Sequence, residues 1–390
     1  MKAGIVALVL GYVLSQFYRA FLAVLSPALQ ADLGIGPSVL ADASALWFLA
    51  FALAQLPVGW ALDRIGPRRT ASVLLALGGA GGAAVFAMAG GPGAILVAMA
   101  LIGLGCAPVL MASYYIFARS FSPAVFGTLA GAVIGFGSLG NIAGSAPLAW
   151  AAEAWGWRAT VAGVGGLTLV VAVAIAGLVR DPPALPPGPK GRLMDLLAMP
   201  ALWPILIMMV VCYAPAAALR GLWAGPYAAD VFGADADGIG RVTLVMGLAM
   251  IAGNFAYGPM ERVLGSRKWL VMGGNLLVLA CLVALWAWPA RSLWLSTALL
   301  AGVGFFGASF PMVIAHGRAF LPAALTGRGV TLLNLFGIAA TGMVQMATGR
   351  VYGALAGEDP ARPFAAIFGL CAVFLALGLV VYARSRDRTD

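Results

Sequence analysis

The chain has 390 residues, of which 62% are hydrophobic and only 9% charged, with a formal net charge of +9 and a mean hydropathy of +0.99. Soluble domains carry about a quarter charged residues, so this composition excludes an ordinary soluble protein and places the chain in a membrane. The positive charge calls for no nucleic-acid partner, because inner-leaflet anchors account for it.

Cutting the sequence at charges and turn residues leaves apolar segments near 4–29, 40–62, 70–90, 94–118, 124–150, 159–179, 201–226, 239–260, 269–289, 293–316, 328–353 and 364–384. At about 1.5 Å per residue each can cross a hydrocarbon core of about 30 Å, so an all-α membrane protein with twelve transmembrane helices is expected. The first segment follows Met1-Lys2. Its apolar run is too long for a signal peptide and lacks a cleavage pattern, so it reads as a retained helix. It carries Arg19, then Pro27 and a turn at Asp32.

The second segment ends in GWALDRIGPRR, Gly59 to Arg69, and the fourth in RSFSPAVFG, Arg119 to Gly127. The fifth presents Gly131, Gly135, Gly140 and Gly144 at near four-residue spacing, a face smooth enough for close contact or sliding. After the sixth comes RDPPALPPGPKGRLMD, Arg180 to Asp195, which cannot be a helix interior. The seventh carries Arg220, Pro226 and a turn at Asp230; the eighth ends in GPMERVLGSRK, Gly258 to Lys268, and the tenth in RAFLPAALTG, Arg318 to Gly327.

These features recur at offsets of 198 to 201 residues, which divides the chain into two six-helix halves. The expected limits are residues 1–180 and 199–390, joined by a linker over 181–198. With the N-terminus in the cytoplasm, sixteen Lys and Arg fall on the inner side and five on the outer. That is the positive-inside bias and puts both termini in the cytoplasm. Cys106, Cys212, Cys281 and Cys371 sit on four separate apolar segments without metal-ligand spacing.

GWALDRIGPRR resembles the loop 2–3 signature of the major facilitator superfamily, and GPMERVLGSRK its weaker copy in loop 8–9. The resemblance covers essentially the whole chain, in helix count, linker and both loops. It implies two pseudo-symmetric six-helix bundles of the major facilitator fold. The activity implied is secondary transport of a small solute across a bacterial cytoplasmic membrane by alternating access, by a monomer without a cofactor. YRAFLAVLSPALQADLG is similar in texture to the sugar-phosphate and nitrate permease branch.

The resemblance further implies a cytoplasmic latch in which Asp63 pairs with Arg119 near the positive end of helix eleven. Gly59, Arg64, Gly66 and Arg68 belong to the first copy, and Glu261, Arg262 and Arg318 to the second. Glu261 stands where an aspartate is expected, which weakens the second latch.

Arg19 and Arg220 are the deep charges, and no deep acid balances them. Burying a cation is costly unless an anion accompanies it, so the pair points to an anionic substrate, for which the arginine fork suits carboxylate or phosphate. The structural alternative pairs Arg19 with Asp42 and Arg220 with Asp230, both snorkelling outward. Around the arginines Gln16, Tyr18, Trp47, Tyr114, Tyr115, Trp223 and Tyr257 are cavity candidates. Asn141 and Asn334 are too polar to face lipid.

A rival reading uses sulfur. Met246 and Met250 share one face, Met208, Met209 and Cys212 lie on the seventh segment, and Met312 and His316 on the tenth. Soft ligands suit Cu(I), and copper-importing members of the superfamily are similar in general texture, which makes a copper importer the alternative to an anion carrier. A membrane solute sensor that does not transport is the alternative of a different class. No P-loop, His cluster or membrane carboxylate pair supports an enzyme.

Overall fold

A computed structural model describes residues 2–120, 123–182, 193–321 and 326–388, and among them every regular element is helical. A backbone in hydrocarbon must satisfy its own polar groups, and a helix does so within one segment. Ten helices are each long and apolar enough to span a bilayer, and two bent pairs bring the total to twelve. The first pair, α1, runs Lys2–Tyr18 and, after a 48° bend, Phe21–Leu33. Then follow α2 (Pro37–Arg64), α3 (Pro67–Ala87) and α4 (Pro92–Ser120). The second pair, α5, runs Pro123–Ala143 and, after a 40° bend, Ala146–Trp155. The remainder are α6 (Trp157–Leu178), α7 (Pro200–Phe232), α8 (Ala236–Leu264), α9 (Arg267–Ala287), α10 (Leu293–Arg318), α11 (Thr326–Leu355) and α12 (Ala361–Tyr382). Each of the twelve expected segments corresponds to one of them.

The chain forms two compact units, Met1–Pro186 with Asp235–Leu244, and Pro187–Ala234 with Val245–Asp390. Residues 183–192 of the Pro-rich linker lie outside the described residues. The repeat is visible in the backbone. Gly34 and Gly233 both end a helix at φ near +65° (65° and 64°), and Gly66 and Gly265 both take positive φ (98° and 63°) before the next helix. Only glycine enters that region without strain.

In the first unit α2 packs on α4, α1 on α5, and α3 on α4 and α6. Glycines set these crossings. A Cβ at Gly103 would strike the Trp47 carbonyl, one at Gly105 the Gly79 backbone, and one at Gly140 the Val13 carbonyl. The described contact of α5 with α1 runs through Gly137, Gly140 and Gly144, which meet Tyr12, Val13 with Phe17, and Ala20. Gly137 was skipped by a four-residue spacing, because a helical contact stripe alternates threes and fours. In the second unit Gly253 lies against the Phe305 carbonyl and Gly378 against Val211. Exposed tryptophans mark both ends of each unit. Trp60 lies at one end of the first and Trp150 and Trp155 at the other; in the second unit Trp203 and Trp269 oppose Trp286, Trp288 and Trp294. Amphipathic rings at both helix ends form the belts that a bilayer interface selects.

The loop signatures are held by acids that follow the sixth and twelfth helices. Asp181 accepts from the Arg68 amide at 2.7 Å, and its carboxylate fills the space a side chain at Gly66 would need. Asp387 accepts from the Lys268 amide at 3.1 Å and from the Ser266 hydroxyl, while Ser266 Oγ in turn accepts from the Trp269 amide. A carboxylate at a helix N-terminus satisfies orphan N–H groups and meets the positive end of the dipole.

Burial opposes ionisation of Asp387, but the Ser266 and Lys268 hydrogen bonds outweigh it and hold the carboxyl below the usual range. A depressed folded value means stabilisation present above the unfolded aspartate pKa and lost as the pH falls through the folded one. Asp387→Asn should therefore lower stability at neutral pH by about 0.3 kcal/mol, the low end for a charge at a helix N-terminus because solvent screens this exposed carboxylate, and the gap to the wild type should close on acidification. Melting curves of both proteins in detergent between neutral and acid pH check this; a gap that is constant with pH contradicts it.

Candidate functional site

Both deep arginines sit where their helices depart from α geometry. In α1 the break falls at Arg19, whose amide donates three residues back to Gln16 at 3.3 Å, as Ala20 does to Phe17 at 2.9 Å. In α7 the residues Leu219–Trp223 form a π-turn that includes Arg220. The α1 break is a tightened, 3₁₀-type turn and the α7 stretch a widened one; a mid-helix 3₁₀ stretch often marks a hinge, and π-turns recur at functional sites.

Arg19 lies on an aromatic floor. Its guanidinium carbon is 5.0 Å from the Trp47 ring centroid and 4.9 Å from that of Phe51. The two rings stack at 5.2 Å with 19° between their planes. Helical spacing puts Trp47 and Phe51 on one face of α2, and puts Ser15 one turn before Arg19 on α1. Arg19 Nε, Trp47 Nε1 and Ser15 Oγ are each buried without a hydrogen-bond partner. Guanidinium and indole only donate, and a hydroxyl can. The Cys106 thiol lies beside Ser15 and Arg19 and is the protein neighbour of the hydroxyl, so the Arg19 guanidinium and the Trp47 indole, 5.0 Å apart, are the two donors left for an anion.

Cation–π contacts of about 0.5–2 kcal/mol do not offset a desolvation penalty of several kcal/mol per ion. Arg19 joins none of the ion pairs seen among the described residues, such as Arg158–Asp32, Arg241–Asp237 and Arg267–Glu261. The alternative pairing with Asp42 therefore does not form. One further turn along α2, Gln55 gives its amide nitrogen to the Ala107 carbonyl at 3.3 Å and leaves Oε1 unpartnered.

In the second unit Arg220 is 5% exposed. Its Nε lies 3.5 Å from where a Cβ on Gly247 of α8 would stand, so the absence of a side chain there makes room for the guanidinium. The carboxylate of Asp230, the other acid weighed as a partner, accepts from the Tyr352 hydroxyl at 2.8 Å.

The remaining candidates divide. Tyr18 is buried and hydrogen-bonded to Thr168 of α6 at 2.9 Å, a packing role. Trp223 is buried and donates to Thr348 at 2.9 Å. Tyr257 donates to the Phe306 carbonyl at 2.5 Å and rests on Gly274, so it ties α8 to α9 and α10. Gln16 donates to the Tyr12 hydroxyl at 3.1 Å. Tyr114, Tyr115 and Asn334 are half-buried, and Asn141 is buried. Ser15, Phe51 and Gln345 were missed. Their only sequence signal is helical spacing from Arg19, Trp47 and Thr348, and polar or aromatic residues at such spacing also pack cores.

The latch residues also separate. The side chain of Asp63 lies outside the described residues. Arg119 stacks over Tyr115 at 4.5 Å. Glu261 near the end of α8 pairs with Arg267 at the start of α9 at 2.6 Å, while Arg64, Arg68, Arg262 and Arg318 are exposed. Gly59 meets nothing within 4 Å, so it provides no close approach, whereas Gly66 is required by its φ of 98°. Of the sulfur ligands, Met246 and Met250 lie against Gly304 of α10, and Met208 and Cys212 are buried on α7. His316 is buried and holds the Tyr382 hydroxyl at 2.8 Å and the Arg386 carbonyl at 2.9 Å. Both its nitrogens are thus in use.

The sequence profile described as Major Facilitator Superfamily matches residues 8–344. No curated protein matches the chain in sequence. Among solved structures, the chain is similar to a bacterial homolog of the human lysosomal transporter Spinster, in its inward-facing and occupied conformation. The identity is 17%, with 97% of this chain and 95% of that one covered and a TM-score of 0.74. It is also similar to a D-xylose–proton symporter, at 16% identity, 99% and 98% coverage and a TM-score of 0.77.

Proposed function

Since the chain belongs to the major facilitator superfamily and is a membrane transporter rather than an enzyme, we propose that its solute is a small organic anion, carried by alternating access. The observation that supports this is the Arg19–Trp47 pair, whose buried Nε and Nε1 donors have no hydrogen-bond partner. Arg220 occupies the matched place of the repeat in the second unit. The positive-inside bias supports a cytoplasmic membrane with both termini and the linker inside, and membrane-impermeant labelling of the linker tests that orientation.

The test of the solute class is binding to the purified protein. Small mono- and dicarboxylates or inorganic phosphate should raise its melting temperature, as any ligand selective for the folded state does, and neutral sugars should not. Arg19→Lys should weaken the anion about tenfold or more, because a charge-assisted hydrogen bond contributes ~1.5–3 kcal/mol and lysine lacks the fork. Stabilisation by sugars alone would overturn the anionic reading. Uptake into proteoliposomes containing only this protein distinguishes a carrier from a sensor.

A further inference from the structure

Gln345 lies in α11 at 0% exposure, and neither its Oε1 nor its Nε2 has a hydrogen-bond partner. Other polar side chains in this protein discharge their donors into their own helix. Thr341 donates to the Gly337 carbonyl at 3.0 Å and Thr348 to that of Val344 at 2.8 Å. The buried amide of Asn275 donates to the Val271 carbonyl at 2.9 Å and to Ser309. Gln345 has a carbonyl one turn behind it as well, and does not use it. An amide buried with both ends unpaired is strongly unfavourable, so its retention calls for a partner from outside the chain.

The neighbourhood of Gln345 follows from the register of α7 and α11. Trp223 donates to Thr348 at 2.9 Å, the Trp223 and Tyr352 rings are 5.2 Å apart, and Tyr352 donates to Asp230. These contacts climb the two helices side by side in the same direction. One turn earlier on each, Arg220 on α7 stands level with Gln345 on α11. A guanidinium and a free amide thus occupy one level of the second unit.

We propose that Gln345 is a specificity-determining residue whose amide pairs with a neutral group of the solute presenting a donor and an acceptor side by side, such as a carboxamide, an undissociated carboxyl or a lactam edge. The inference rests on the reading that Arg220, in the same unit as Gln345, receives the anionic group of the solute. A site built around a buried hydrogen-bonding group rejects an analogue that lacks the complement, because the site's own atoms are then left unpaired.

The experiment compares two probes of equal shape, succinamate and 4-methylpentanoate, in which two methyl groups replace the atoms of the amide. The wild type should bind succinamate at least about tenfold more tightly, the effect of one or two buried hydrogen bonds. Gln345→Met should bring the ratio to about one by weakening succinamate, leave 4-methylpentanoate as tight or tighter, and melt no lower than the wild type when empty. A ratio near one in the wild type, as expected if only a water meets the amide, overturns the proposal without any variant. So does a ratio unchanged in Gln345→Met, or in Gln345→Leu should the first variant fold poorly. The anionic reading fails separately if both probes bind unchanged after Arg19→Gln and Arg220→Gln. Binding of neither probe to the wild type overturns both.

Discussion

A protein carrying both Arg19→Gln and Arg220→Gln is expected to lose uptake by about a hundredfold or more, while Arg19→Gln alone, when empty, melts no lower than the wild type. The two halves of that outcome have separate causes. Loss of uptake follows from removing charge-assisted hydrogen bonds to the anion, ~1.5–3 kcal/mol for each arginine, where ~1.4 kcal/mol is tenfold. Retained stability follows from desolvation. Arg19 holds a buried Nε that no acceptor meets and joins no ion pair seen among the described residues. Replacing a buried cation by a neutral amide removes a penalty of several kcal/mol per ion and gives up cation–π contacts of about 0.5–2 kcal/mol each. Uptake and melting curves measured on the same preparations decide between this account and a structural one. A structural role predicts a poorly folded double variant, with uptake lost in proportion. Normal uptake by a well-folded double variant would show that the arginines are not the site, and Met246 and Met250 would be tested next for Cu(I).

The second large effect concerns Gly140. Its Cα faces the Val13 carbonyl on α1, and a Cβ there would also lie 2.8 Å from the Phe17 amide nitrogen. Both opposing atoms are backbone, which cannot rotate away as a side chain would, so Gly140→Leu must push α5 off α1. Overpacking of this kind costs about 3 kcal/mol or more, a large fraction of the net stability of a folded chain. Yield after detergent extraction and the melting temperature should both fall sharply. Gly59→Leu is the control, because Gly59 meets nothing within 4 Å and should tolerate the same side chain. Equal behaviour of the two variants would contradict the role given to the α1–α5 crossing.

The sequence by itself determined the helices, the repeat and the two arginines. Hydropathy is local and its period is short, so twelve apolar runs could be delimited without knowing what touches what, and each became a span or a bent pair. The repeat was legible because paired motifs about 199 residues apart need only be compared as strings, and the paired glycines at 34 and 233 confirm it in their dihedral angles. Arg19 and Arg220 stood out because a charge in an apolar run is conspicuous whatever surrounds it.

Which polar atoms remain unsatisfied was decided only by the tertiary structure. Tyr18 and Trp223 looked equivalent to Trp47 as site candidates, yet Tyr18 is held by Thr168, 150 residues away, and Trp223 by Thr348, 125 away, while the Trp47 nitrogen has no partner. The acid that holds the loop 2–3 signature at Arg68 is likewise 113 residues distant, at Asp181, and Glu261 turned to Arg267 at the start of the adjoining helix α9. Hydrogen-bond satisfaction depends on the pairing of remote segments and on geometry finer than a helical turn. Spacing along one helix cannot encode it, so Ser15 and Gln345, unremarkable as letters, became informative only once their neighbours were in place.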